Sequence, residues 1–148
     1  MNKSILVLGA NGFIGNALIK QLCQDSKLDI YGIDLEKDNL EHSLDKTNFH
    51  FIEGDINIRH DWIEHHIKKC DIIIPLVAIA TPNVYVKNPL KIFQLDFESN
   101  LKVIKWAVEY KKRIIFPSTS EVYGMCSDEK FNEYDFYKCR KRFSYRRY

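Results

Sequence analysis

The chain has 148 residues, of which 45% are hydrophobic and 28% are charged, as in an ordinary globular domain. Its longest apolar run, residues 72–80, is too short to span a bilayer and is interrupted by Pro75, and its start is too glycine-bounded for a signal peptide. Composition therefore argues against disorder and membrane insertion, predicts a cytoplasmic protein, and gives a formal net charge of +2 that is unevenly distributed along the chain.

The first predicted element is a buried strand that runs into a glycine-rich loop and a helix. Residues 5–8 are apolar, which is typical of a strand buried on both faces, and helical spacing begins at Phe13. Gly9 allows a tight turn, Gly12 lets the backbone approach a pyrophosphate, and Gly15 lets the helix lie close to the strand. The first N–H groups of the helix favour an anion. The predicted cofactor-binding residues of this loop are Gly9, Asn11, Gly12, Phe13, Ile14 and Gly15.

The second predicted strand, residues 30–33, ends in Asp34 at the spacing that the dinucleotide fingerprint requires. An acidic side chain there holds a ribose diol and favours NAD over NADP, because it would repel a 2′-phosphate. The structural alternative is that Asp34 only caps the end of the strand.

A polar stretch, residues 36–48, is predicted as a loop with a turn or two of helix before a third strand at residues 49–52. Gly54 and Asp55 then follow, where the short acidic side chain and the next backbone amide meet an adenine edge, or where the chain simply turns. Both interpretations stay open at this point of the sequence.

The helix predicted from Asp61 to Lys69 carries several histidines and carboxylates, which suggests a metal site. An inverted zinc motif needs a histidine where Asp61 stands, and the adjacent His65 and His66 point to different sides of a helix. We therefore predict a solvated helix face and no metal. The cysteines, Cys23, Cys70, Cys126 and Cys139, show no CxxC spacing, so reduced thiols are expected.

The fourth strand is predicted from Asp71 through Pro75 to Val77 and should be central, since it is the most apolar. It ends in the small residues 78–80, at the edge where open α/β sheets bind ligands. A long helix is predicted from Asn88 to about Lys111.

That long helix carries two apolar stripes. The first, which we assign to the sheet, consists of Leu90, Phe93, Phe97, Leu101, Ile104 and Val108. The second consists of Ile92, Leu95, Val103 and Trp106, and it would remain uncovered, which predicts self-association or packing against further polypeptide. A fifth strand, residues 113–116, leads into residues 117–124 at the same edge of the sheet and is expected to be an edge strand.

Several motifs together resemble those of the extended short-chain dehydrogenase family of nucleotide-sugar epimerases, dehydratases and decarboxylases. They are Gly9-x-x-Gly12-x-x-Gly15, Asp34, Gly54-Asp55, the loop 78–80 and Ser-x-Val-Tyr-Gly at 120–124. Longer matches at 77–82, 96–98, 100–101 and 116–128 resemble the domains that decarboxylate UDP-glucuronic acid in lipid A modification, with sister UDP-xylose-forming decarboxylases as the main alternative. The resemblance extends from Met1 to about residue 135.

The resemblance implies an NAD-binding α/β Rossmann fold over residues 1–135, with a parallel sheet of about five strands in the order 3-2-1-4-5 and helices on both faces. The sheet is expected to be incomplete, as if truncated or frameshifted, because the family's last strands and UDP-sugar pocket have no counterpart here. The cofactor-binding residues it adds to the loop are Asp34, Asp55, Ile56, Ala78, Ile79, Ala80 and Asn100.

The implied reaction oxidises the sugar of UDP-glucuronic acid at its 4-position with NAD. The resulting 4-ketone makes the adjacent carboxylate a β-keto acid, which loses carbon dioxide. By resemblance, Thr119 and Ser120 hydrogen-bond the reacting hydroxyl, and Glu121 assists proton movements near the leaving carboxylate. The alternative for Thr119 and Ser120 is a strand-end turn.

The general base of the family is the tyrosine of a Tyr-x-x-x-Lys pair, and here the chain departs from the pattern. Tyr134 with Lys138, and Tyr137 with Lys141, fit it literally, but both lie much closer behind Ser120 than the family places its base. We interpret both as chance matches in a basic, disordered tail, residues 136–148.

The tail differs in charge from the rest of the chain. Residues 138–148 hold six basic residues and no acidic one, which leaves 16 basic and 20 acidic residues, a net charge of −4, in residues 1–137. Nucleic-acid binding by this tail rests on charge alone and is not expected. Two hypotheses remain: part of a decarboxylase that needs the missing segments, or a non-catalytic remnant that binds NAD, including a fragment of another nucleotide-sugar enzyme.

Overall fold

The computed structural model describes residues 2–123, which fall into two units, residues 2–116 and residues 117–123. The first unit alternates strands and helices, and the second contains a single 3₁₀ turn. The elements are β1 Lys3–Leu8, α1 Phe13–Leu22, β2 Leu28–Asp34, α2 Glu41–Leu44, β3 Phe49–Glu53, α3 His60–Lys69, β4 Ile72–Pro75, α4 Pro82–Lys87, α5 Pro89–Ile92, a π-helical segment Phe93–Ser99, α6 Asn100–Glu109, β5 Arg113–Ile114 and the 3₁₀ turn Ser120–Tyr123.

The five strands form one parallel sheet in the order β3-β2-β1-β4-β5, which confirms the predicted fold class and strand order. Strand β1 is central and pairs with β2 from Lys3 to Leu8 and with β4 from Ile5 to Leu8. The order reverses between β1 and β4, because β2 and β3 extend the sheet on one side and β4 and β5 on the other. The carboxyl ends of β1 and β4 therefore flank a topological switch point, where open α/β sheets bind ligands.

Alternating side chains of β1 supply two hydrophobic cores, one on each face of the sheet. Leu6 and Leu8 belong to a cluster with residues of α3 and α6, whereas Ile5 and Val7 belong to a cluster with Ile19 of α1. Helices thus cover both faces, as predicted. Since β1 is buried on both sides, its continuous apolar run is explained by its central place.

The helical run from Pro89 to Glu109 contradicts the predicted assignment of its two faces. Ile92 and Val103 of the second stripe are buried, and Leu95 and Trp106 pack against the core. The first stripe, assigned to the sheet, is instead exposed or half-buried, with relative exposures of 67% at Leu90, 51% at Phe93, 52% at Phe97 and 70% at Val108. Within this helical run, the exposed apolar residues therefore belong to the first stripe, and self-association through this helix stays a prediction.

The buried face of this run includes two polar residues, and this explains the reversal. Asp96 lies in the π-helical segment and Asn100 begins α6, and both turn towards the loop that follows β4. Their side chains hydrogen-bond the backbone of Val77 and Ile79. Hydrophobic spacing alone placed the sheet on the opposite face, because it takes no account of the polar contacts that Asp96 and Asn100 make with this loop.

The histidines of α3 lie on different sides of the helix, as expected. His65 is exposed, whereas His66 is buried, with its Nδ1 2.8 Å from the carbonyl oxygen of Trp62. No cluster of three or more metal-ligating side chains occurs among residues 2–123. No helix in that range is both long and apolar enough to cross a membrane.

Two of the four cysteines are described, and both are free thiols. Burial raises the pKa of the Cys70 thiol to about 12, so it stays protonated at neutral pH and is a core residue rather than a nucleophile. Burial also raises the pKa of Cys23. Cys126 and Cys139 lie outside the described residues.

Candidate functional site

A cleft of about 470 Å³ opens at the carboxyl edge of the sheet, at the switch point between β1 and β4. Its walls come from the glycine loop after β1, the ends of β2 and β3, the loop after β4, and the helical run that begins at Pro89. The lining residues are Gly9, Asn11, Gly12, Asp34, Leu35, Gly54, Asp55, Ile56, Asn57, Leu76, Val77, Ala78, Ile79, Lys91, Gln94 and Leu95. Eight residues predicted from the sequence as cofactor-binding are among them.

The three glycines of the loop occupy different environments. Gly9 has a φ of +84°, a backbone conformation that other residues rarely adopt, and it forms the tight turn after β1. A Cβ on Gly15 would lie 2.1 Å from the carbonyl oxygen of Gly9, so α1 crosses this strand end at a distance only glycine permits. A Cβ on Gly12 would meet only that same oxygen, at 3.4 Å, an ordinary contact.

Packing within the protein therefore explains Gly9 and Gly15 but does not explain Gly12. Gly12 is exposed and lines the cleft, so the space that a side chain would fill there is open to a ligand. Gly15 is buried beneath the loop and does not line the cleft. This arrangement fits a dinucleotide whose pyrophosphate lies against the backbone at Gly12.

The N–H groups available to an anion are those at the start of α1. The N–H groups of Gly9 and Ala10 donate to Ile33, and that of Gly12 donates to Gly9. The first bond internal to α1 runs from Asn16 N–H to the Gly12 carbonyl, so the N–H groups of Phe13 and Ile14 belong to the turn that has no helical acceptor. Their side chains are 95% and 60% exposed and do not line the cleft, so any role in cofactor binding is a backbone role.

The carboxylate of Asp34 connects the end of β2 to the glycine loop. Its Oδ2 accepts a hydrogen bond of 2.8 Å from the Asn11 N–H, and its Oδ1 accepts one of 2.7 Å from the Leu35 N–H. Each carboxylate oxygen can accept a further hydrogen bond. Asp34 therefore orders the loop and caps its own strand, and it keeps acceptor capacity on the cleft side for a ribose diol.

The loop after β3 forms the turn that the sequence offered as one alternative, and the adenine contact stays a prediction. Oδ1 of Asp55 accepts a hydrogen bond of 2.8 Å from the Asn57 N–H, which closes a turn. Asp55, Ile56 and Asn57 also line the cleft, and Gly54 N–H donates to the carbonyl of Asp34 at 2.8 Å. The turn thus places a carboxylate and the side chain of Ile56 beside the Asp34 end of the cleft.

The loop after β4 forms the opposite wall and is held by the helical run. Oδ1 of Asp96 accepts a hydrogen bond of 3.0 Å from the Ile79 N–H, and Nδ2 of Asn100 donates to the Val77 carbonyl at 3.0 Å. Ala78 and Ile79 line the cleft, whereas Ala80 and Asn100, both predicted as cofactor-binding, do not. Asn100 is 5% exposed, and its Oδ1 is buried with no hydrogen-bond partner among the described residues.

The sequence missed several residues of this wall, above all those from the helical run. Lys91, Gln94 and Leu95 line the cleft, and Lys91 brings a cationic side chain to it. The spacing of the helix gave no sign of this, because the predicted faces were reversed. Leu35, Asn57, Leu76 and Val77 were also missed, although each is next to a predicted residue or strand end.

The predicted catalytic residues belong to a different part of the chain. Thr119 lies in the second unit, and its carbonyl accepts a hydrogen bond of 3.3 Å from the Val122 N–H, at the 3₁₀ turn Ser120–Tyr123 that also contains Glu121. Tyr134, Lys138, Tyr137, Lys141 and the basic tail lie outside the described residues. The roles of all these residues stay predictions.

A parallel sheet in the order 3-2-1-4-5, with a glycine loop and a strand-end carboxylate facing one cleft at its switch point, defines a Rossmann-type domain. Residues 5–147 match the family model described as the NAD dependent epimerase/dehydratase family. The chain therefore belongs to this family, and its description names the predicted cofactor, NAD. The matched range runs past residue 135, at which the sequence resemblance was expected to end.

Solved structures agree with this assignment. The chain is 52% identical to the PbgP3 protein from Burkholderia pseudomallei, with a TM-score of 0.84, over 89% of this chain and 44% of that chain. It is 25% identical, with a TM-score of 0.78, to a UDP-glucuronic acid 4-epimerase variant from Bacillus cereus, over 88% of this chain and 44% of that one. That structure holds UDP-4-deoxy-4-fluoro-glucuronic acid and NAD.

An epimerase from Methanothermobacter thermautotrophicus is similar at 26% identity and a TM-score of 0.77, over 90% of this chain and 40% of that chain. The chain thus spans less than half the length of each of these three proteins.

Proposed function

We propose that this chain is the NAD-binding portion of an enzyme that oxidatively decarboxylates UDP-glucuronic acid. NAD binding is supported above all by the open backbone at Gly12 beside the Asp34 carboxylate. Packing within the protein explains neither the absence of a side chain at Gly12 nor the remaining acceptor capacity of Asp34. The cleft supplies what a dinucleotide needs: N–H groups for a pyrophosphate, a carboxylate for a ribose, and apolar side chains for the bases.

The substrate part of the proposal is supported by sequence. Residues 77–82, 96–98 and 116–128 resemble the dehydrogenase domain of the bifunctional polymyxin-resistance protein ArnA, which acts in lipid A modification. Two of these segments meet in the structure, where Asp96 accepts the hydrogen bond from Ile79 and supports the cleft wall. The proposed product is a UDP-4-keto-pentose.

NAD, when bound, supplies the acceptor for the hydride that leaves C4 of the sugar. The residues described here would bind and orient it: Asp34 accepts from the adenosine ribose, the first turn of α1 binds the pyrophosphate, and the wall at Ala78 and Ile79 excludes water from the bases. Thr119 and Ser120 would hold the sugar hydroxyl through their side-chain oxygens, and Glu121 would receive or return a proton near the carboxylate.

Electron balance separates this reaction from its alternatives. Oxidation at C4 followed by loss of carbon dioxide leaves the ketone in the product and one NADH per turnover. A UDP-xylose-forming decarboxylase returns the hydride to the ketone, and a 4-epimerase returns it to the other face, so neither accumulates NADH. A non-catalytic dinucleotide-binding protein forms no product.

The test uses the purified 148-residue chain, first with NAD in a titration calorimeter and then with NAD and UDP-glucuronic acid. We expect NAD to give a heat of binding. NADP should bind at least about tenfold more weakly because of Asp34. Accumulation of NADH together with carbon dioxide would establish the decarboxylase in this chain alone. Binding without turnover would show that this chain alone is not catalytic, as expected both of a portion that needs the missing segments and of a non-catalytic remnant, and absence of NAD binding would overturn the proposal.

A further inference from the structure

Two hydrogen bonds, both donated by Asn39 to Asn11, join the glycine loop to the segment that follows β2. The backbone N–H of Asn39 donates to Oδ1 of Asn11 at 2.8 Å, and Nδ2 of Asn39 donates to the backbone carbonyl of Asn11 at 3.0 Å. The two residues are 28 positions apart in sequence. Asn11 is 8% exposed, so its polar groups are largely withdrawn from water and depend on these partners.

Each asparagine is next to a residue that anchors it. Ala10 and Leu40 are both fully buried, and both belong to the cluster on the α1 face of the sheet. The Asn11 N–H also donates to Asp34. The loop between Gly9 and α1 is therefore held by Asp34 from the end of β2 and by Asn39 from the segment beyond it.

These contacts occupy three of the four polar groups of Asn11 and leave its Nδ2. Its N–H, its Oδ1 and its carbonyl all have partners inside the protein. Asn39 does not line the cleft, whereas Asn11 and Gly12 do. The hydrogen bonds of Asn39 therefore connect it to the cleft through Asn11.

We propose that Asn39 is a positioning residue for dinucleotide binding, which fixes the loop that presents the Phe13 and Ile14 N–H groups to a pyrophosphate. This inference rests on the proposed function. A loop that is ordered before the ligand arrives loses less conformational freedom on binding, so the contribution of Asn39 is expected in affinity for ligands that carry the pyrophosphate.

The test compares Asn39→Ala with Asn48→Ala. Asn48 serves as the control because its Nδ2, like that of Asn39, donates to backbone carbonyls, here those of Asp25 and Leu28, but it lies before β3, at the opposite edge of the sheet from the cleft. Thermal melts and circular dichroism establish that both variants fold. Calorimetry then measures the Kd of each for NAD, ADP-ribose and adenosine.

We expect Asn39→Ala to bind NAD and ADP-ribose about threefold to tenfold more weakly, the range that corresponds to one net hydrogen bond, because the backbone N–H of residue 39 still donates to Asn11 in the variant. Adenosine, which lacks the pyrophosphate, should change by less than about twofold, and Asn48→Ala should bind all three ligands like the parent chain. Unchanged affinity in Asn39→Ala would overturn the role of Asn39. Equal weakening in both variants would also overturn it, because general destabilisation would then be the cause.

Failure of the proposed function is distinguishable from these outcomes. If the parent chain itself gives no heat with NAD or ADP-ribose, dinucleotide binding is wrong and the positioning role of Asn39 is wrong with it. If the parent binds both ligands and only the Asn39 comparison fails, the proposed function stands and the inference does not.

Discussion

The sheet extends in two directions from β1, and the two halves support the cleft in different ways. On the β2 side the glycine loop is held by hydrogen bonds that start from strand ends, at Asp34 and Ile33. On the β4 side the loop at Val77 and Ile79 is held by side chains of the helical run, Asp96 and Asn100. One wall is thus held from the end of a neighbouring strand and the other by polar side chains of the helical run.

This difference explains which parts of the molecule the sequence predicted. The β2-side wall follows from a motif of fixed spacing, since Gly9, Gly12, Gly15 and Asp34 each occupy a position set by the strand-turn-helix geometry. The strand order followed from the resemblance to the family. The contribution of the helical run to the cleft did not follow from spacing, because two stripes of similar hydrophobicity compete and polar Asp96 and Asn100 decide which one is buried.

The largest effect is expected at the glycine loop, in a comparison of Gly15→Ala with Gly12→Ala. The added methyl at Gly15 would collide with the backbone oxygen of Gly9, which should lower the free energy of unfolding by about 3 kcal/mol or more. The methyl at Gly12 meets ordinary space, so stability should be nearly unchanged while NAD affinity falls. Urea unfolding and calorimetry measure the two quantities, and similar stability losses in both variants would contradict the separation of their roles.

The next effect tests the face of the helical run that packs on the sheet. Val103 is 2% exposed and Val108 is 70% exposed on the same helix, α6. Val103→Ala should lower the free energy of unfolding by about 2 kcal/mol through lost burial. Val108→Ala should change it by less than about 0.5 kcal/mol, with a gain expected because alanine favours the helix. A larger loss of stability in Val108→Ala than in Val103→Ala would show that the face predicted from the sequence is the one that packs on the sheet.

A smaller effect is expected at the cleft wall that is formed by the loop after β4. Asp96→Ala removes the acceptor for the half-buried Ile79 N–H and should cost about 1 to 2 kcal/mol of stability, with weaker NAD binding because Ile79 lines the cleft. Asp96→Asn keeps an Oδ1 acceptor and serves as the control. If the alanine variant matched the parent in both urea unfolding and NAD affinity, the support that we assign to Asp96 would be disproved.

The smallest effect is a dependence of stability on pH on the β2 side. Burial lowers the pKa of His66 below the usual 6.5, and the neighbouring His65, Lys69 and His50 act in the same direction. The unfolded chain therefore binds this proton more readily than the native one, so stability is complete above about pH 6.5 and decreases as the pH falls towards the native pKa.

His66 alone cannot change the free energy of unfolding by more than about 1.4 kcal/mol per pH unit. Urea unfolding between pH 7 and pH 5 measures this dependence. Carboxylates such as Asp71, whose pKa is lowered by hydrogen bonds from Ser4, contribute only at lower pH. His66→Gln removes the titrating group and should flatten the curve. An equal slope in that variant would assign the effect to another residue.

The unequal lengths of the strand pairings also have a consequence for the order in which the sheet opens. Strands β1 and β2 are paired from Lys3 and Leu28 to Leu8 and Ile33, whereas β5 meets β4 only at Arg113 and Ile114. Amide hydrogens of Leu6 and Ile30 should exchange with solvent only through global unfolding, while the Ile115 N–H, which donates to Ile73 at 2.9 Å, should exchange through local opening at the edge. The strand that leads towards Thr119 and Ser120 is thus the first part of the sheet to separate, and the strands that hold the glycine loop are the last.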